Sequence, residues 1–174
     1  GRGPRAGRGD RGVVPAGGCK KGGQRAEALG RSRGGFSTKV HLRAEGEGKP
    51  IKVVLTPGEA HDTTAFLDLM EQGAIKRIHG GRSRNRPERI VGDKGYSAQW
   101  IRDYLVKHGI HVTIPRKRNN KRGGPFDREA YRMRNRIERL INRLKQFRSI
   151  ATRYDKRADS YRSIWLIGAI FLWL

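Results

Sequence analysis

The sequence predicts an α/β domain. Segments alternating in hydropathy with a period of two are interleaved with segments whose apolar residues recur at helical spacing, in the order ββαβαβ followed by helices. FSTKVHLRAEG places Phe36, Thr38, Val40 and Leu42 on one face; EGKP turns the chain; IKVVLTPG supplies a second strand, completing an antiparallel hairpin. In HDTTAFLDLMEQG, Asp62 stands where a helix cap belongs, Ala65, Phe66, Leu69 and Met70 share a face, and Gly73 is the expected stop. Ile90 and Val91 make a short buried strand that ends at Asp93. SAQWIRDYLVKHG then reads as a helix capped by Ser97, with Trp100, Ile101, Tyr104 and Leu105 on one side and Gly109 at its end, and HVTIP is the next strand. A long helix is expected from Asp127 to about Ser149, burying Met133, Ile137, Leu140, Ile141, Leu144 and Phe147 on one stripe. An apolar helix follows from near Asp159 to Leu174. Trp100, Trp165 and Trp173 are all expected in the core.

Composition narrows the class of partner. With 39 Lys+Arg against 16 Asp+Glu, the net charge is +23 and the pI is near 11.3, so a polyanion, and nucleic acid first, is the expected partner. A basic RNA-binding protein of the ribosomal type shares this composition. Residues 1–35 hold 12 of the 24 glycines and nine Lys/Arg, with too little apolar surface to offset their ordering entropy. They are expected to be a disordered basic arm ahead of a domain at 36–174. A single cysteine, Cys19, excludes an internal disulfide or a Cys-rich zinc site and fits a reducing, cytoplasmic setting. His41, His61 and His79 share no ligand spacing, so zinc is not expected. The apolar run from Ile164 to Leu174 has 11 residues, whereas a bilayer span needs about 20, and the opening residues carry no secretory signal.

Two carboxylates are candidates for chemistry in a chain that has few. Asp93 ends a strand just ahead of Gly95, where the backbone can turn sharply, and Glu138 lies at the edge of the apolar stripe of the long helix. Each has an ordinary alternative: a turn aspartate for Asp93, and ion pairing one helical turn away for Glu138. With Tyr131 taken as the origin, Arg134, Glu138 and Lys145 fall beside it on a second, polar stripe. The basic runs RSRNR at 82–86 and RKRNNKR at 116–122 bracket the Asp93 unit and suit phosphate contacts.

Four blocks carry a family resemblance: GRSRGGFSTKVHL, LTPGEAHD, VGDKGY and the stretch from Tyr131 to Leu174. Together they resemble the catalytic domain of bacterial insertion-sequence transposases of the DDE type. The helix signature of that family, Tyr, two residues, Arg, three residues, Glu, six residues, Lys, is matched by Tyr131, Arg134, Glu138 and Lys145. The resemblance implies an RNase H-like mixed sheet flanked by helices. It also implies two Mg²⁺ or Mn²⁺ ions held by two aspartates and a glutamate, and metal-dependent phosphodiester hydrolysis and strand transfer on double-stranded DNA at the element's ends and target. Asp93 and Glu138 would be catalytic metal ligands. Lys94, Tyr131, Arg134 and Lys145 would contact DNA, and a homodimer on DNA in the bacterial nucleoid is the expected setting, with no membrane involved. The family's first aspartate lies on a hydrophobic strand upstream of the GRSRGG block. Here Asp10 is the candidate, but Gly1 to Gly9 do not form such a strand. The resemblance therefore implies an N terminus truncated or frameshifted, and an alternative function as an inactive remnant that binds DNA without cutting it.

Overall fold

The computed structural model describes residues 23, 26–32, 35–71, 86–118 and 126–174. The hairpin forms as expected. Strand β2 (Gly35–Ala44) runs antiparallel to β3 (Pro50–Pro57), with Val40 opposite Leu55 and Leu42 opposite Val53. The turn between them is closed by Glu45, whose backbone N–H donates to the Lys49 carbonyl while its side chain accepts from Glu47 N–H and Lys49 N–H. A third strand, β1 (Gly30–Ser32), pairs with the start of β2, so the sheet runs β1-β2-β3.

That strand corrects the expected arm. Residues 26–32 are part of the fold: Ala28 is buried, Arg153 donates to the Glu27 carbonyl, and the Glu27 carboxylate accepts from Ala158 N–H. Two distant elements hold the segment in place, a source of order that composition does not register. Asp10, Cys19, Gly73, His79 and most of the 82–86 basic run lie outside the described residues.

After β3 comes a 3-10 turn at Asp62–Ala65, which continues directly into α1 (Phe66–Glu71). Asp62 is not the cap. His61 occupies that position without a side-chain bond, and the Asp62 carboxylate points instead to Lys39. Strand β4 (Arg89–Val91) leads into α2 (Gln99–Lys107) and then β5 (His111–Thr113), which lies parallel to β4. A βαβ unit results. Gly109, at φ +66, ends α2 as expected, but its N-cap is Ala98, and Ser97 Oγ accepts from Arg102 instead. Among the described residues the strands form two sheets, one of three strands and one of two, rather than a single mixed sheet.

The long helix is interrupted. It forms as α3 (Arg128–Arg132), α4 (Arg134–Leu144) and α5 (Arg148–Ala151), followed by α6 (Ala158–Phe171). At Met133 the backbone N–H reaches the carbonyl three residues back, at Ala130, a tightening that resets the angular bookkeeping of a straight helix. The same contraction follows α4, where Phe147 N–H bonds to the Leu144 carbonyl. Met133 and Phe147 are consequently exposed rather than buried, and Ile150 fills the core instead, its carbonyl accepting from Tyr161 OH. Of the three tryptophans only Trp165 is buried. Trp100 and Trp173 are 44% and 46% exposed, the first edge-on to Phe66 and the second bonded through Nε1 to the Pro50 carbonyl.

Two apolar clusters result. One joins the hairpin to α4, α5 and α6 through Val53, Leu140, Leu144, Ile150, Tyr161 and Trp165. The other joins α1 to the βαβ unit through Phe66, Met70, Ile101, Leu105, Ile110 and Ile114. No described helix is long and apolar enough to cross a membrane.

Candidate active site

A cleft of about 810 Å³ is lined by residues from β2, α1, β4 and α4. Asp93 enters it from the end of β4. One of its oxygens, Oδ1, accepts from Gly95 N–H at 2.9 Å and so starts the 3-10 turn Lys94–Tyr96; the turn reading was therefore right, but it commits only one oxygen. Glu138 enters from the opposite wall on α4, where its Oε1 accepts from Arg134 at 2.5 Å. The i,i+4 pairing reading of Glu138 also holds, and the pair stands in the cleft.

The sequence-predicted residues divide here. Asp93, Arg134 and Glu138 line the cleft. Tyr131 lies outside the lining and meets it through Arg134, whose guanidinium is 5.5 Å from the ring centroid. Lys94 is exposed in the turn after Asp93, and Lys145 caps the far end of α4, two helical turns beyond Glu138. Of the basic runs, Arg86 lines the cleft.

The structure adds Asp62. The hairpin's inner face is polar: Lys39 and His41 alternate on β2 with apolar residues that pack on α4 and α6. Lys39 Nζ lies 2.9 Å from Asp62 Oδ1 and also donates to the Ala60 carbonyl. Asp62 Oδ2 lies 2.0 Å, and Asp93 Oδ1 3.0 Å, from where a Gly95 Cβ would stand, so the two carboxylate oxygens are no more than 5.0 Å apart. The signal missed was period two on the other face of β2: titratable side chains at 39, 41 and 43 on a strand bounded by apolar elements indicate a polar interior. Gly95→Ala should push the Asp62 carboxylate off its seat and weaken its bond to Lys39. Thermal stability should change little, because the clash is with the end of one side chain, but divalent-cation affinity measured by calorimetry should fall.

His41 is the buried centre of this polar face. Its Nδ1 is 2.7 Å from Tyr96 OH and its Nε2 is 2.8 Å from Thr56 Oγ1. Burial lowers its pKa below the ordinary histidine value, opposed by Asp62 and Asp93 and reinforced by Lys39, and burial with the same two aspartates raises that of Tyr96. A histidine whose folded pKa is lowered binds its proton more readily in the unfolded chain, so stability should fall as pH drops below about 6.5. Denaturant titrations at pH 7.5 and 5.5 should show that loss, and His41→Gln should reduce it.

A family model described as Transposase DDE domain matches residues 10–174. The chain belongs to this family. Among curated relatives, the DDE chain is 28% identical over 137 residues to a Burkholderia cepacia protein that carries the name of a transposase for insertion sequence element IS402, an alignment covering 78% of this chain and 62% of that one. It is 24% identical over 141 residues to a Brucella ovis protein named as a transposase for insertion sequence element IS6501, covering 80% of this chain and 99% of that one. The chain thus spans less than two thirds of the first relative's length. No solved structure matches it significantly. DDE transposases generally use divalent metal ions. Among the described residues, no group of three or more His, Cys, Asp or Glu could hold one.

Proposed function

We propose that this chain, from about Ala26 onward, is the RNase H-like catalytic domain of an insertion-sequence transposase that hydrolyses and transfers phosphodiester bonds at the ends of its element. What supports the reading is that Asp93 and Glu138, from separate elements, line one cleft with cations around them. The donor set suits hard divalent ions, Mg²⁺ or Mn²⁺: carboxylate oxygens, with the lack of a side chain at Gly95 letting the Asp62 carboxylate come up beside Asp93. Two such ions, when bound, supply an activated water or 3′-hydroxyl and charge stabilisation at the leaving oxygen.

The chain's own residues do the rest. Asp93 offers Oδ2, since Oδ1 holds the turn. Lys39 orients Asp62 beside it. Glu138 and Arg134 neutralise each other in the resting cleft, and when the carboxylate is engaged elsewhere the guanidinium becomes free for a DNA phosphate. Lys94, Tyr131 and Lys145 extend that DNA contact, and Asp10 is the candidate for the remaining carboxylate. Double-stranded DNA is the substrate, bound as a homodimer in the bacterial cytoplasm.

One observation favours a second reading, in which the chain binds DNA without cutting: the described residues hold no three-ligand group, and Glu138 already has a cationic partner. Incubation with DNA carrying the element's ends, with and without Mg²⁺ or Mn²⁺, separates the two. Metal-dependent cleavage lost in both Asp93→Asn and Glu138→Gln supports the enzyme. Binding alone, falling steeply with salt, supports the remnant.

A further inference from the structure

Asp62 and Asp93 reach the cleft from different parts of the chain, one from the turn after the hairpin and the other from the end of β4, and strand β2 has a hold on each. Lys39 and His41 stand on the same polar face of β2, one pleat or about 7 Å apart. Lys39 Nζ lies 2.9 Å from Asp62 Oδ1. The hold on Asp93 is indirect. His41 Nδ1 is 2.7 Å from Tyr96 OH, and Tyr96 belongs to the turn that Asp93 starts.

That turn ties the Asp93 carboxylate to Tyr96. Asp93 Oδ1 accepts from Gly95 N–H at 2.9 Å and the Asp93 carbonyl from Tyr96 N–H at 3.2 Å, so a shift of Tyr96 is passed directly to Asp93. The Tyr96 ring packs on the cluster that joins α1 to the βαβ unit and meets the imidazole edge-on, with centroids 6.1 Å apart. His41 itself is only 4% exposed, and its Nε2 is 2.8 Å from Thr56 Oγ1 on β3. Thr56 stands opposite Lys39 in the hairpin register, so the imidazole is fixed from both strands. Each hydroxyl can donate or accept, and both bonds therefore form with either neutral tautomer of His41. A buried polar network whose members are all bonded rigidifies what it joins. Here it joins the hairpin to a carboxylate that lines the cleft.

Resting on the catalytic reading above, we propose that Thr56, His41 and Tyr96 are positioning residues, which hold the Asp93 carboxylate in place for a small divalent ion and so favour Mg²⁺ over Ca²⁺. Mg²⁺ demands near-ideal octahedral geometry with ligands at about 2.0–2.1 Å, whereas Ca²⁺ accepts ligands at about 2.3–2.6 Å in flexible arrangements. A carboxylate released from its hold costs Mg²⁺ more than Ca²⁺.

The test is Mn²⁺ binding to the full chain by electron paramagnetic resonance, with Mg²⁺ and Ca²⁺ as competitors. Tyr96→Phe keeps the ring and removes the hydroxyl. Mg²⁺ affinity should fall about 10–100-fold, the usual loss when the support of a metal ligand is removed, and Ca²⁺ affinity should fall by less, so that the ratio between the two shifts toward Ca²⁺. Thr56→Val removes the other bond to His41 and should shift the ratio the same way, carrying the test if Tyr96→Phe does not fold, and Thr56→Ser should restore it. An unchanged ratio, whether both affinities fall equally or neither falls, overturns the proposal and leaves the network a support of the fold alone. Mn²⁺ binding that is lost in Asp93→Asn but indifferent to Tyr96→Phe overturns it while the catalytic reading stands. A wild-type chain with no Asp93-dependent Mn²⁺ binding overturns both.

Discussion

Asp93→Asn should lower metal-dependent DNA cleavage by more than about a hundredfold while leaving the fold and the salt-sensitive binding of DNA in place. The asparagine keeps an oxygen that can accept from Gly95 N–H, so the turn after β4 survives. It loses the negative charge that a divalent ion requires. Changing a residue that only orients a metal ligand costs about 10–100-fold, and a ligand itself should cost more. Glu138→Gln should behave alike in cleavage for the same reason. Its effect on stability should be small, because the Arg134 partner is a half-exposed i,i+4 ion pair and such pairs contribute only about 0.3–0.5 kcal/mol. Cleavage by either variant at wild-type rate would remove that residue from the site. Reduced DNA affinity for Asp93→Asn at every salt concentration would assign Asp93 a binding role instead.

Leu144→Ala should be among the most destabilising single substitutions in the chain. Leu144 is fully buried in the cluster that joins the hairpin to α4, α5 and α6, close to the Gly168 backbone. Truncating a buried leucine costs about 2–5 kcal/mol, from lost transfer energy and from the cavity left behind. For a chain of this length each kcal/mol lowers Tm by about 2–4 °C, so a fall of about 4–20 °C is expected by calorimetry. Met133→Ala, at a position the helical stripe also assigned to the core, should cost far less because its side chain is 43% exposed. Equal losses for the two would mean that α4 buries a different face.

The contrast between Leu144 and Met133 shows where the sequence stops being legible. Period two in β2 and β3 and the placement of Gly109 are local properties, set by which residues tolerate which backbone, and each appears in the structure where the pattern put it. Helical spacing located α4 but could not see the contracted turns at its two ends, nor that Ile150, from beyond the helix end, would take a core place beside Tyr161. Asp62 was open to misreading for the same reason. Beside DTTA it reads as a cap, and only the fold of the hairpin brings Lys39 within 2.9 Å and Asp93 next to it.

By itself, then, the sequence determined the α/β class, the hairpin, the strongly positive charge and the two carboxylates worth testing, all of which follow from residue type and short-range spacing. Tertiary structure alone decided that residues 26–32 belong to the fold, that Asp62 joins Asp93 over Gly95, and that the described strands fall into two sheets on either side of the cleft. Those features arise from contacts between residues tens of positions apart, and no local propensity encodes which distant partner will satisfy a side chain or a strand edge.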